Sequence, residues 1–442
     1  MKTISTILLL SLLLNCSFDS KTGIWKNINE IETKKNTKFK DFETLYTEEK
    51  TFNQIIEASK NFFIQAPKPK LNLIWKDEFY KNSNNTENFS YKNINELIFK
   101  SKKLSKYNID KKILFDGRNI IVTDKNGNII FYNVNQQEII FKFNFYKKKL
   151  KKIEKNLKII LDKNIIYVAD NLGYLYALDY DNKKLLWALN YKKPFRSNLK
   201  VFKNKLLLAD QDNSIYIINK INGNKIKIIP TEEVTLKNNF INSLALDDEN
   251  LLYLNTFGSL YSLNSNENRF NWFINLNQSL DLNSSNLFLS NPLVQFKNSI
   301  VVSTDPYLYI VNKFNGSTKI KKSLSSSVKP IGIHDKLFLI TKNDLLVCID
   351  IDTGKINYSA DINQKISFFL NSKNRKSIQI KSMSIVNNSI YIFLKNSYLV
   401  KFSMSGKILN IDKLPYTLNS FPIFINDSIL YLSNENRLVI VN

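Results

Sequence analysis

The chain has 442 residues, a formal net charge of +24 at pH 7, one His and two Cys. With 43% apolar and 23% charged residues it lies in the range of globular proteins, which argues against wholesale disorder. The scarcity of His and Cys argues against a zinc site built from them, a disulfide scaffold and a Ser-His-Asp or Cys-His enzyme. The positive charge is spread along the chain, and we interpret it mainly as composition rather than as a nucleic-acid footprint.

The first residues have the pattern of an export signal. Residues 7–14 are almost purely apolar, and this stretch is too short to span a bilayer. It ends at Leu13-Leu14-Asn15-Cys16, which resembles a bacterial lipobox, although Asn15 departs from the usual small residue. We therefore predict a signal peptide over residues 1–15 and lipidation of Cys16. Cleavage elsewhere, beside a chance Cys, is the alternative.

Residues 16–70 are predicted to be a tether. They are polar and charged up to Lys50, with a possible short helix over 51–63, and Pro67 and Pro69 then break any helix. Ser17 rather than Asp follows Cys16, which favours the outer membrane by analogy with enteric sorting. We expect three acyl chains at Cys16 to anchor the protein stably.

One repeat then recurs along the chain. Its clearest copy, residues 164–190, contains three predicted strands, with turns at Asp170–Gly173 and at Asp179–Lys183. Gly173 tolerates positive φ, and the short side chain of Asp179 can hydrogen-bond to the backbone ahead of it. We take residues 199–202 as the fourth strand of this copy.

The second turn of the repeat provides a ruler along the sequence. An apolar residue is followed there by a short polar one at Asn133, Asp179, Asn219, Asn264, Asn312, Asp350, Ser403 and Asn442. The intervals run from 38 to 53 residues and average about 44. Four strands per unit of this length predict an all-β fold, an eight-bladed β-propeller of four-stranded blades. A β-solenoid or a pair of sandwiches is the alternative.

The eighth copy stops at Asn442 without an outer strand. We predict that residues 71–80 close the last blade, with Trp75 in the place that Trp187 takes in the second copy. The propeller then spans residues 71–442. Trp75, Trp187 and Trp272 are all expected on outer strands, where they dock neighbouring blades.

The segment Leu175-Tyr-Ala-Leu-Asp179, followed by Trp187, resembles the repeat of quinoprotein-type propellers, as does the turn Asp350-Ile-Asp-Thr-Gly354. Two families carry this repeat: quinone-cofactor dehydrogenases, and the propeller lipoproteins of the outer-membrane β-barrel assembly machinery. The lipobox and the length are similar to the second family. This resemblance implies a non-enzymatic scaffold without cofactor or metal, lipid-anchored in the outer membrane and facing the periplasm. Its partners would be the barrel-inserting core protein and unfolded outer-membrane clients, with no nucleic acid.

In that family, one inter-blade loop with a Leu-x-Leu-Arg pattern ahead of a Pro binds the partner. The matching residues of this chain are Leu280, Leu282 and Asn283, so Asn stands where Arg is expected. Exposed leucines on a loop are good anchors for a partner. Leucines tucked under the blade are an equally open alternative.

An enzyme is the second hypothesis. A degenerate quinone-dependent dehydrogenase would need a Ca²⁺ site from Glu, Asn and Asp, a catalytic Asp and stacking Trp rings. Cys348 is interpreted as a buried apolar residue and the basic run 147–158 as a solvated loop. Another periplasmic propeller binding module also remains open.

Overall fold

The structure is a computed structural model. It describes residues 51–146, 150, 152–233, 243–277, 287–370 and 378–442, and the backbone alone of residues 16–19 and 24–27. The chain divides into two compact units, residues 1–50 and 51–442. In the first unit, Cys16–Asp19 and Ile24–Asn27 form an antiparallel hairpin. Among the described residues, no helix has both the length and the apolar composition needed to cross a membrane.

The second unit is an eight-bladed β-propeller of four-stranded antiparallel blades, as predicted. The sheet of blade 7 has one additional short strand, Asn88–Phe89, which pairs parallel to Ile380–Val386. Blade 1 contains the strands Leu114–Phe115, Asn119–Thr123, Asn128–Asn133 and Glu138–Asn144, and blade 2 contains Lys158–Asp162, Ile165–Ala169, Tyr174–Asp179 and Lys184–Asn190. Blade 3 contains Lys200–Phe202, Lys205–Ala209, Ile215–Asn219 and Lys225–Ile229, and blade 4 contains Leu244–Asp247, Asn250–Leu254, Ser259–Asn264 and Arg269–Asn275. Blade 5 contains Val294–Phe296, Ser299–Ser303, Leu308–Asn312 and Thr318–Lys322, and blade 6 contains Ile331–Ile333, Lys336–Ile340, Leu345–Asp350 and Ile356–Asp361. Blade 7 contains Ile380–Val386, Ser389–Leu394, Tyr398–Ser403 and Ile408–Lys413, and blade 8 contains Ile423–Ile425, Ser428–Leu432, Leu438–Val441 and Leu97–Lys100.

The first strand of each blade is innermost. First strands of successive blades touch one another, as they do from Lys158–Asp162 through Val294–Phe296. The two middle strands are apolar and buried because neighbouring blades pack on both of their faces, for example Ile165–Ala169 and Tyr174–Asp179. The fourth strand alternates in exposure, as Lys184–Asn190 does. Each of the eight blades also has a bulge between its third and fourth strands, which strengthens the twist that a propeller blade needs.

The last blade is closed by an N-terminal strand, but it is Leu97–Lys100 and not residues 71–80. Leu97–Lys100 runs antiparallel to Leu438–Val441, with Phe99 opposite Ile440. The prediction for residues 71–80 was therefore wrong. Residues 199–202 were also misassigned, because Lys200–Phe202 is the innermost strand of blade 3 and Lys158–Asp162 is that of blade 2.

Residues 51–70, expected in the tether, pack against the propeller. The segment 51–63 contains no helix: Ile56 forms an antiparallel bridge with Ser359 on the outer strand of blade 6. Phe62 meets Tyr358 of the same strand edge-on, with ring centroids 5.6 Å apart. The one described helix, Ile362–Phe369, follows blade 6 and is capped by Asp361, which accepts a hydrogen bond from the backbone N–H of Gln364.

Candidate functional site

Residues 70–91, which we call the axial segment, run along the centre of the propeller. Between Asn72 and Phe89 the segment meets blades 8, 1, 2, 3, 4, 5, 6 and 7 in that order, so it makes one circuit around the axis. Its contacts with successive blades are Asn72 to Phe424 (2.9 Å), Trp75 to Phe115 (2.8 Å), Lys76 to Leu161 (3.0 Å), Asp77 to Lys200 (2.6 Å), Asn82 to Leu246 (2.8 Å), Ser83 to Gln295 (2.9 Å), Asn85 to Gly332 (2.9 Å) and Phe89 to Asn387 (3.0 Å).

A buried ion pair holds the axial segment to blade 3. The Nζ of Lys200 lies 2.6 Å from Asp77 Oδ2, and it also donates to Asn84 Oδ1 at 2.7 Å and to the Lys81 carbonyl at 3.0 Å. The two ionised side chains are 0% and 6% exposed. Burial lowers the pKa of Lys200, and the Asp77 carboxylate opposes that shift. Three acceptors around one ammonium group satisfy all of its donors.

Trp75 belongs to this segment rather than to an outer strand. It is 7% exposed and packs against Tyr80 and Phe89, with ring centroids 4.7 and 5.6 Å away. Phe89 in turn stacks on Phe424 of blade 8 at 5.5 Å. The predicted role of Trp75 in docking a neighbouring blade was therefore wrong.

Trp187 and Trp272 do dock neighbouring blades, as predicted. Trp187 Nε1 donates to the Lys220 carbonyl of blade 3 at 3.1 Å, and its ring lies over Gly223, where an added Cβ would come within 2.5 Å. Trp272 repeats this contact on blade 5, donating to the Lys313 carbonyl and packing over Gly316. These rings are structural wedges between blades.

The turn residues are structural too. Asp179 accepts from the backbone N–H of Asn182 at 3.0 Å, and this bond comes first among the causes that lower the Asp179 pKa. Asp350 accepts from the N–H of Thr353 at 2.8 Å and pairs with Lys336 at 2.7 Å; burial alone would raise its pKa, but these partners lower it. Gly173 and Gly354 have φ of +86° and +72°, as reversals of this kind require.

Several predicted residues cannot be placed. Leu280, Leu282 and Asn283 lie outside the described residues, in the connection between blades 4 and 5. Cys16 opens the first strand of the N-terminal hairpin, where the backbone alone is described. Cys348 is buried, as expected, and burial raises the pKa of its thiol.

The interpretation of the basic run as a solvated loop was wrong in its second half. Residues 147–149 and 151 lie outside the described chain. Lys155 is only 1% exposed and donates to the Leu150 carbonyl, while Lys158 is 8% exposed and begins the innermost strand of blade 2. Part of this positive charge therefore faces the propeller axis.

Two adjoining cavities lie beside the axial segment. They measure about 230 and 140 Å³, and both are lined by Glu78, Phe79, Lys112 and Pro292. The larger is bounded by blades 1, 5, 6, 7 and 8, and the smaller adds residues of blades 2, 3 and 4. Most of the blade residues that line the cavities stand at or just before the start of an innermost strand, although Met383 and Ser384 lie further along theirs. The cavities therefore lie towards the face that carries the inter-blade connections.

The cavities are rich in lysine. Glu78 pairs with Lys112; burial would raise the Glu78 pKa, but Lys112 and Lys158 lower it. Burial lowers the pKa of Lys329 to about 7 and that of Lys381 to about 8. No motif in the sequence marks this group, because its members come from five distant segments.

Residues 144–360 match the family model described as outer membrane protein assembly factor BamB. The repeats within these residues are of the BamB type. BamB from Moraxella catarrhalis superposes with a TM-score of 0.60 over 78% of this chain and 99% of its own, at 13% identity. No curated protein sequence matches the chain.

The quinohemoprotein alcohol dehydrogenase of Comamonas testosteroni has a TM-score of 0.62 with this chain, over 84% of this chain and 81% of its own, at 10% identity. A europium-containing methanol dehydrogenase has a TM-score of 0.60 over 83% and 89%, also at 10% identity. At such identities the likeness shows the fold alone.

The described residues do not fit a quinone with its Ca²⁺ ion. They contain no group of three or more His, Cys, Asp and Glu side chains that could hold a metal. The tryptophan rings they include are already packed: Trp75 against Tyr80, and Trp187 and Trp272 over neighbouring blades. The axial cavities offer lysines in place of the carboxylates that Ca²⁺ prefers.

Proposed function

We propose that this chain is a non-enzymatic scaffold lipoprotein of the outer-membrane β-barrel assembly complex, which binds the barrel-inserting core protein and assists insertion of outer-membrane proteins. The match of residues 144–360 to the BamB family model carries this proposal. The lipobox pattern ending at Cys16 supports a lipid anchor that faces the periplasm. Unfolded barrel clients would be additional partners, through exposed strand edges or loops.

Two surfaces of the chain are candidates for the partner. The first is the connection between blades 4 and 5, which carries Leu280 and Leu282; Asn283 in place of Arg removes a charge-assisted contact. The second is the start of the axial segment, where Leu71 and Leu73 are 50% and 53% exposed. Exposed apolar side chains of this kind mark interaction sites when they cluster. We favour the first surface because its pattern matches the family.

Affinity capture from detergent-solubilised envelopes tests the proposal. The tagged chain is expected to recover the barrel-inserting core protein, and Leu280→Ala with Leu282→Ala is expected to reduce the yield at least about tenfold, as loss of two buried anchors does. Leu186→Ala, on an exposed outer-strand position, is the matched control. Loss on Leu73→Ser instead would move the partner to the axial segment, and recovery of none of the assembly machinery would refute the proposal.

The anchor has its own test. Cys16→Ala is expected to release the chain from washed membranes into the soluble periplasmic fraction, because it removes the acylated thiol. Ser17→Ala is the matched control and should remain with the membrane. Membrane association unchanged by Cys16→Ala would contradict lipid anchoring at this residue.

The fold shared with quinohemoprotein dehydrogenases favours one alternative, a degenerate quinone-dependent dehydrogenase. It predicts stoichiometric quinone binding that depends on Ca²⁺, together with dye reduction in the presence of an alcohol. We expect neither, because the described residues lack a carboxylate cluster. Equilibrium dialysis of purified protein against quinone, with and without Ca²⁺, decides between the two.

A further inference from the structure

The two axial cavities contain more positive charge than they neutralise. Lys112, Lys158, Lys329 and Lys381 line them, and Glu78 is the one carboxylate among the lining residues of either cavity. Glu78 is committed to Lys112. Lys329 and Lys381 are partly exposed where they line the larger cavity. An anion bound there would neutralise part of this surplus positive charge.

Two of these ammonium groups have no carboxylate partner in the part of the chain that the structure describes. The Nζ of Lys329 donates to the Asn84 carbonyl of the axial segment. The Nζ of Lys381 donates to the Leu418 carbonyl at 3.2 Å and to the Asn419 carbonyl. Each ammonium carries three donors, so both keep donors to offer to a ligand.

The remaining wall of the larger cavity is largely apolar. Trp75, Phe79, Val328, Met383 and Phe421 contribute to it. Its volume of about 230 Å³ is below the roughly 300–1,000 Å³ of sites for drug-sized ligands, so a ligand the size of a fragment fits. The opening is accessible to solvent, because Phe421 is 41% exposed and Ser327 is exposed beside it.

We propose that the larger axial cavity binds a small organic carboxylate with an apolar body, and that Lys329 and Lys381 hold the carboxylate. An apolar body displaces water from the aromatic and aliphatic wall, which an inorganic anion cannot do. The carboxylate supplies charge-assisted hydrogen bonds to the two lysines. This site does not rest on the proposed scaffold function, since it uses neither the lipid anchor nor the loop with Leu280.

Isothermal titration of the purified chain, from residue 17 onward, tests the ligand class. The probes are 3-phenylpropionate and octanoate, each beside its neutral primary amide, with inorganic phosphate as a test of charge alone. At pH 7, a carboxylate is expected to bind saturably with one site per chain, at least about tenfold tighter than its amide, because charge-assisted bonds are the strong ones. Phosphate is expected not to saturate.

Variants of residues that line the larger cavity test whether the carboxylate binds there. Lys329→Met and Lys381→Met are each expected to weaken carboxylate binding at least about tenfold, whereas Lys225→Met, on the exposed outer strand of blade 3, should leave it unchanged. Ser327→Phe narrows the cavity from an exposed position without changing charge, and it should abolish binding even if a lysine variant folds poorly.

Three results would overturn the proposal. One is saturable binding of neither carboxylate. Another is equal affinity for a carboxylate and its amide. The third is binding by Ser327→Phe as strong as by the unchanged protein, since that places the ligand outside the cavity.

Discussion

The ring of blades and the axial segment are held together by different kinds of contact. Each blade joins neighbours in sequence, so strands such as Ile165–Ala169 and Tyr174–Asp179 pair across a short turn. The axial segment joins residues far apart, as when Asn72 bonds to Phe424, 352 positions away. The blades are held by apolar side chains buried between them, whereas the segment is held to most blades by backbone groups and by Asn, Asp and Lys side chains.

This difference has an energetic consequence. Apolar packing is distributed over many residues, so one blade contact is a small part of a large total. A buried polar contact is concentrated, because a donor or an ion left without its partner carries its full desolvation cost. Single changes in the axial segment should therefore be more damaging than single changes between blades.

Asp77→Ala is expected to have the largest effect. It leaves the Lys200 ammonium, which is 0% exposed, without its counter-ion, and the free energy of unfolding should fall by about 3–5 kcal/mol. Urea denaturation measures the loss. Asp181→Ala is the matched control; its ion pair with Arg118 spans 3.4 Å between side chains that are 48% and 67% exposed, so about 1 kcal/mol or less is expected.

A double variant separates the charge from the packing. Asp77→Ala combined with Lys200→Met removes both ions, and it should recover more than half of the lost stability because no buried charge is left unpaired. Equal losses for Asp77→Ala and Asp181→Ala would break the contrast between the two regions.

Gly223→Ala is expected to have an intermediate effect, between blades 2 and 3. Its Cβ would lie 2.5 Å from Trp187 Cε3, at a φ of +76°, and a loss of about 2–3 kcal/mol should follow. Gly117→Ala shares the positive φ, at +107°, but its Cβ meets nothing closer than 3.9 Å, so about 1 kcal/mol is expected from the backbone alone. Thermal unfolding that ranks Gly117→Ala as the worse variant would contradict the docking role of Trp187.

Lys329→Met is expected to change the free energy of unfolding least, and to raise it rather than lower it. Burial lowers the pKa of Lys329 to about 7, from about 10.5 in the unfolded chain. Below pH 7 both states hold the proton, and the folded state bears the full cost of burying it. Between pH 7 and 10.5 only the unfolded state keeps the proton, so the stability of the unchanged protein rises with pH.

The variant should therefore be more stable at pH 6, with the advantage fading towards pH 10. Because Lys329 is partly exposed and solvent screens its charge, the expected gain is about 1 kcal/mol rather than the full equivalent of the pKa shift. Urea midpoints at the two pH values measure it, with Lys225→Met as the exposed control. An advantage that grew with pH would show that burial does not lower the pKa of Lys329.

The blades could be predicted because most contacts within a blade join residues that are close in the sequence. The turn residues Asp179 and Asp350 accept the backbone bonds expected of them, and Trp187 and Trp272 dock the next blade. Such contacts repeat with the chain, so eight weak copies reinforce one another. The repeat thus specified both the architecture and the roles of these residues.

The closing strand could not be chosen by pattern alone. Residues 71–80 contain a Trp and resemble an outer strand better than Leu97–Lys100 does, although the apolar residues Leu97, Ile98 and Phe99 were a visible signal. What excludes the first segment is its place at the axis, where Trp75 bonds to Phe115 of blade 1. A strand that closes a ring is selected by long-range geometry, which a short pattern does not contain.

By itself, the sequence determined the eight blades, their turns and the docking of Trp187 and Trp272, because periodic local contacts are written into every copy. Only the tertiary structure decided which strand closes the ring, that residues 70–91 encircle the axis, and that Lys112, Lys158, Lys329 and Lys381 share the axial cavities. Those features depend on residues brought together once, across hundreds of positions. A contact made once leaves no repeat in the sequence from which it could be predicted.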